Sequence, residues 1–144
     1  MIKAILIDDE PLARSIVTEY LQSFPEITIA QECNDGFEGV KAIAQHKPDL
    51  IFLDIQMPKI NGFEMLELVD DPPMVIFTTA FEEYAIKAFE ANAADYLLKP
   101  FSKERFDKAM QKMLAQKNNL VPAVVPTALQ TNAATNRIVV KDNG

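Results

Sequence analysis

Apolar, strand-like runs begin near Ile2, Ile27, Leu50, Met74 and Asp95, about 21 to 25 residues apart. Each gap between them carries a helical repeat. Leu12, Ile16, Tyr20 and Phe24 recur every four positions, and Phe37, Val40 and Ile43 every three. Phe63 and Leu66 fit a third helix, Ala85, Ala88 and Phe89 a fourth, and Phe106, Met110, Met113 and Leu114 a fifth. The apolar residues of these stripes, with Met57, are expected in the core. Strand and helix alternating five times predict βαβ units, right-handed crossovers and a parallel sheet of the α/β class.

The strand types sharpen this picture. Residues 4–7, 50–53 and 74–77 are apolar throughout, as strands covered on both faces should be. Ile27-Thr28-Ile29-Ala30-Gln31 is more mixed and suits an edge. Pro11 fits the first position of a helix. Ser102 fits the N-cap of the last one, with Arg105 standing where a capping box would favour Glu.

The pattern changes after about Gln116. Lys117-Asn118-Asn119 reads as a helix end, which places a first unit at residues 1–117. Residues 118–136, rich in Pro, Ala, Thr and Asn and without a period, read as a linker. Residues 137–144 read as one strand followed by a turn signal, and we expect the chain to be a piece of a longer protein.

Composition narrows the function. A chain of 144 residues with 49% hydrophobic residues can build one sizeable core. A formal net charge of −7 argues against this unit gripping nucleic acid by itself, because phosphate neutralisation needs Lys and Arg. One cysteine and one histidine exclude an internal disulfide, a cysteine-rich zinc site and a histidine cluster. No apolar stretch approaches the roughly 20 residues that span a bilayer. The N-terminus enters a strand with no signal-peptide pattern, so a cytoplasmic location is expected.

The chemistry concentrates at the ends of the runs. Asp8 and Asp9 follow Ala4-Ile5-Leu6-Ile7, Asp54 follows Leu50-Ile51-Phe52-Leu53, and Lys99 follows Tyr96-Leu97-Leu98. In a parallel sheet these side chains meet at the carboxyl edge, where open α/β sheets place their sites. Crowded carboxylates repel one another unless a cation lies among them. Oxygen-only ligands beside a lysine favour Mg²⁺ and a phosphoryl group. Asp54 is the candidate nucleophile, since a carboxylate can attack phosphorus and form an acyl phosphate. Asp8 and Asp9 would hold the metal with Asp54. Acidic residues also favour the start of the helix at Pro11, which accounts for one of them but not for a second strand ending in Asp. A threonine hydroxyl at the end of the fourth run could bond a phosphoryl oxygen, and spacing alone does not choose between Thr78 and Thr79. Lys99 would pair with an aspartate and then with the phosphoryl group.

Taken together, Ile7-Asp8-Asp9-Glu10, Leu53-Asp54-Ile55-Gln56-Met57-Pro58 with Gly62, Thr79-Ala80 and Asp95-Tyr96-Leu97-Leu98-Lys99-Pro100-Phe101 resemble the receiver domain of two-component response regulators. The resemblance covers about residues 1–116. It implies a flavodoxin-like (βα)5 fold with strand order 2-1-3-4-5. It implies that Asp54 takes a phosphoryl group from the histidine of a sensor kinase. Mg²⁺ would be held by Asp9, Asp54 and the backbone carbonyl of Gln56, with Asp8 assisting through water. Thr79 and Tyr96 would form a switch pair, Lys99 would hold the phosphoryl group, and the Lys99–Pro100 bond would be cis. Many receivers carry Gly-Ala before the fifth strand, where this chain has Asn92-Ala93-Ala94. That feature, and a fourth helix starting soon after Thr79 and running from Glu82 to Glu90, resemble receivers joined to LytTR-type DNA-binding domains. Arg137 to Gly144 resembles the first strand of such a domain.

The implied function is a phosphorylation switch for transcription. It has no enzymatic activity beyond self-phosphorylation and autodephosphorylation, it dimerises through helix four, strand five and helix five, and it meets DNA only through the missing domain. A Mg²⁺-dependent phosphohydrolase would also use an aspartyl nucleophile, but Gln56 stands where its second catalytic aspartate would be. A phosphate-independent interaction module is a third reading, opposed by the complete set of site residues.

Overall fold

A computed structural model describes residues 1–118. The calls on residues 119–136 and 137–144 therefore lie outside the described residues. Five strands, β1 (Ile2–Ile7), β2 (Ile27–Cys33), β3 (Leu50–Asp54), β4 (Met74–Thr79) and β5 (Asp95–Leu98), alternate with α1 (Pro11–Tyr20), α2 (Gly36–His46), α3 (Gly62–Glu67), α4 (Ala85–Glu90) and α5 (Lys103–Lys117). All pairings are parallel and the order is β2-β1-β3-β4-β5. This is the expected flavodoxin-like sheet, with the mixed strand β2 at an edge.

Period-two alternation divides the core in two. Ile5, Ile7, Ile51, Leu53, Val75, Phe77 and Tyr96 face one side, beneath residues of α2, α3 and α4. Ala4, Leu6, Leu50, Phe52, Ile76 and Leu97 face the other, beneath α1 and α5. Phe106 of α5 anchors the second layer, stacked on Phe52 at 5.7 Å and edge-on to Tyr20 at 5.4 Å.

Helix entry follows local chemistry. Asp35 caps α2 by accepting from Glu38 N, and Asn61 and Glu64 form a capping box at α3. Ser102 caps α5, accepting from Arg105 N at 3.1 Å. Asn92 takes the left-handed backbone at φ 62°, which explains why asparagine can stand where many receivers have glycine.

Three helical expectations need correction. The four-residue repeat on α1 is not its buried face: Leu12 is 74% and Ile16 37% exposed, while Val17 and Leu21 are buried. A strict four-residue step overshoots a 3.6-residue turn, so such a stripe drifts around the helix. Phe37 and Phe89 are likewise exposed, whereas Ile43, Ala85 and Ala88 of the same stripes are buried as expected, joined on α2 by the small residues Gly39 and Ala42. The fourth helix is also not one piece: Glu82–Tyr84 is a 3-10 turn and the α-helix begins at Ala85.

Candidate functional site

The site forms at the carboxyl edge because β1 and β3 are neighbours at the centre of the sheet. Asp8 leaves the end of β1, and its amide donates to the carbonyl of Cys33 at 3.1 Å. Its carboxylate accepts from Glu10 N at 2.9 Å, and its own carbonyl accepts from Arg14 Nη1 at 2.6 Å. Asp54 ends β3 and is buried. Asp8, Asp9 and Asp54 each offer a carboxylate oxygen, and these oxygens lie within 4.8 Å of one another. The three residues expected to meet do so.

Lys99 arrives from the end of β5. Its amide donates to the carbonyl of Thr79 at 2.7 Å, and the Lys99–Pro100 bond that follows is cis. Its Nζ donates to Asp8 Oδ2 at 2.9 Å and to Glu10 Oε1 at 3.3 Å, and it lies 3.8 Å from Asp54 Oδ2. Burial works against the Lys99 charge, but Asp8, Asp54 and Glu10 outweigh it and hold its pKa above the ordinary value. Asp54 moves the other way. Burial, then repulsion from Asp8 and Asp9, push its carboxyl up to about 7 despite the Lys99 charge. One ammonium thus stands among four carboxylates, those of Asp8, Asp9, Glu10 and Asp54, and the set lacks positive charge. All-oxygen donors this close suit a hard divalent cation.

The pleat puts the two threonines on opposite faces of the sheet. Thr78 pairs in register with Asp54 and shares its face, toward α1 and α5. Thr79 falls on the opposite face, the one that carries Phe77 and Tyr96. It is fully buried, and its Oγ1 accepts from Phe81 N at 3.2 Å. Tyr96 is also fully buried, and burial pushes its hydroxyl up to about 12. That hydroxyl donates to the carbonyl of Phe81. Thr79 and Tyr96 therefore meet through the backbone of one residue. Gln56 lies in the loop after β3, and its side chain turns from the carboxylates to donate to Tyr84 Oη at 2.9 Å.

Sequence reasoning missed several partners. Arg14 and Glu10 brace Asp8 and Lys99, and nothing in the strand pattern marks them. Arg105 does more than stand at the capping position of α5. Its guanidinium forks onto the fully buried Asp95 at 2.9 and 3.1 Å and also reaches the carbonyl of Tyr96. The signal available was an aspartate opening a buried strand, which needs a cation within reach.

A family model described as "response regulator receiver domain" matches residues 4–111. Transcriptional regulatory protein BtsR of Escherichia coli K12 is 44% identical over 128 residues, covering 88% of this chain and 54% of the relative. A response regulatory protein of Vibrio cholerae is 44% identical over 144 residues, covering 96% of this chain and 61% of that protein. The chain thus spans little more than half the length of these curated relatives. Among solved structures, the response regulatory domain of protein mrkE from Klebsiella pneumoniae superposes with a TM-score of 0.74 at 31% identity, covering 81% of this chain and 98% of that one. Among the described residues no helix is long and apolar enough to cross a membrane. The family match, the strand order and the position of the acidic cluster agree: this chain belongs to the response regulator receiver domains of two-component systems.

Proposed function

We propose that Asp54 is the phosphoacceptor of this receiver and that the chain works as a phosphorylation switch. The observation that carries the reading is the convergence of three carboxylates within 4.8 Å, with Lys99 Nζ at 2.9 Å from Asp8 and 3.8 Å from Asp54. Asp8, Asp9 and Asp54 fit Mg²⁺, with the carbonyl of Gln56 as a further ligand. Bound Mg²⁺ supplies the charge neutralisation that lets an anionic nucleophile approach an anionic phosphoryl group.

The protein's own groups do the rest. An Asp54 carboxylate oxygen forms a bond to phosphorus as the nitrogen–phosphorus bond of a sensor-kinase phosphohistidine breaks. The leaving imidazole takes up a proton. Lys99 exchanges part of its contact with Asp8 for a phosphoryl oxygen. The Thr79 hydroxyl gives up its bond to Phe81 N to do the same. That exchange loosens the segment whose carbonyl holds the Tyr96 hydroxyl, so Tyr96 can change rotamer and alter the surface of α4, β5 and α5. The group is later lost to water, and no external substrate turns over. In the full-length protein the switch would govern a LytTR-type DNA-binding domain. Support comes from residues 137–144 and from the transcriptional regulators among the relatives.

Mass spectrometry after treatment with acetyl phosphate and Mg²⁺ tests the reading. One phosphoryl increment on the peptide containing Asp54, absent from Asp54→Asn, is expected. Retained labelling of the variant would remove Asp54 from this role, and steady hydrolysis of a phosphate ester would replace the switch with a phosphohydrolase.

A further inference from the structure

Tyr84 joins the two loops that flank the site. Its hydroxyl accepts from Gln56 Nε2 at 2.9 Å, which reaches it from the β3–α3 loop. Its ring packs edge-on against Phe81 at 6.2 Å and tilted against Phe63 of α3 at 6.2 Å. Phe81 in turn holds both Thr79, through its amide, and Tyr96, through its carbonyl. A continuous path therefore runs from the loop after Asp54 to Tyr96. The Tyr84 hydroxyl is the polar link between Gln56 and that path.

We infer that Tyr84 is a positioning residue that, through Gln56, makes the β3–α3 loop and the Phe81 segment move as one unit. Residues 55–58 carry the Gln56 carbonyl and lie directly after Asp54, whereas Phe81 lies directly before the 3-10 turn that leads into α4. Without the Gln56–Tyr84 bond the two loops would respond to the site separately. With it, a displacement of Phe81 pulls on the loop beside Asp54, and the converse holds by linkage. The tether also holds the backbone that follows Asp54 in one place, so the half-life of an acyl phosphate there reads whether the tether is kept.

The lifetime effect rests on the phosphoacceptor reading above, whereas the mechanical coupling does not, and two measurements separate them. In the first, backbone amide spectra of the unphosphorylated chain are compared for Gln56→Ala and Tyr84→Phe. Both variants should perturb Phe81 and Tyr96 as well as residues 55–58. Perturbations from Gln56→Ala that stop at Tyr84 would overturn the coupling. In the second, the half-life of the acetyl-phosphate-labelled protein is followed. Tyr84→Phe should change it about threefold or more, and should have no effect in a Gln56→Ala background. An equal effect in both backgrounds would show that Tyr84 does not act through Gln56. If the wild-type chain takes no label while the spectra show shared perturbations, the phosphoacceptor reading falls and the coupling stands.

Discussion

Burial and two neighbouring carboxylates act on Asp54 in the same direction, and its pKa near 7 has consequences that can be measured without any phosphodonor. The folded state holds this proton more tightly than the unfolded chain, where the ordinary value is 3.8. Asp54 therefore costs no stability below about pH 4, and the cost grows as pH rises to about 7. Asp54→Asn removes the charge and keeps the shape. We expect it to stabilise the metal-free protein above pH 7 by less than the ceiling of about 4 kcal/mol that a rise of roughly three pKa units sets, because the pairing with Lys99 is lost as well. The gain should vanish near pH 4, and denaturant titration at both pH values checks this. Cation binding must also displace that proton. Mg²⁺ affinity should rise about tenfold between about pH 6 and about pH 8, seen as a falling Kd in calorimetry. A flat profile would mean that Asp54 is already ionised at about pH 6 or is not a ligand.

The pieces that deliver these residues are fixed by contacts of a different kind. Gly62 opens α3 with its amide bonded to the carbonyl of Ile55. A Cβ there would lie 2.6 Å from the backbone oxygen of Asp54. Backbone cannot swing aside, so Gly62→Ala should cost about 1–3 kcal/mol. It should also slow acetyl phosphate labelling, because the strand end that carries Asp54 must shift.

At the other end of the sheet, β5 and α5 are joined by Arg105 on Asp95. Burial works against the Asp95 charge, but Arg105 and Lys112 outweigh it and hold its pKa below the ordinary value. The stability this contributes is present above about pH 4 and is lost as pH falls through the lowered value. Arg105→Ala leaves a buried carboxylate without its guanidinium and should cost about 3–5 kcal/mol by thermal or denaturant unfolding. Lysine at that position would not restore the loss, because it cannot fork.

For the molecule as a whole, the residues that fail to be buried are informative. Ile86 and Phe89 of α4 are 59% and 42% exposed, and Leu98 of β5 is 37% exposed. These three lie on the α4–β5–α5 face through which we propose that the phosphorylated protein dimerises. Sedimentation should show a shift to dimer after acetyl phosphate and Mg²⁺ treatment. Ile86→Glu should abolish that shift and leave Asp54 labelling intact, whereas a monomer in all conditions would move the output surface elsewhere.

The chain's alternation of strand and helix was readable from one sequence, because a parallel sheet covered on both faces demands continuous apolar runs and amphipathic spacers. Asp8, Asp9, Asp54 and Lys99 were readable for a related reason: strand ends in such a sheet share one edge. Other features were not. A period of two cannot say which of two adjacent threonines faces Tyr96 until strand register is set, and register is a property of neighbours. The drifting repeat on α1 misled because apolar spacing does not reveal which side a helix presents to the sheet. Arg105, Arg14 and Tyr84 were invisible as partners of Asp95, Asp8 and Gln56, since their roles depend on contacts between segments 6 to 28 positions apart. Local patterning therefore sets which elements form and which edge bears the chemistry, while packing in three dimensions chooses the faces, the pairings and the partners.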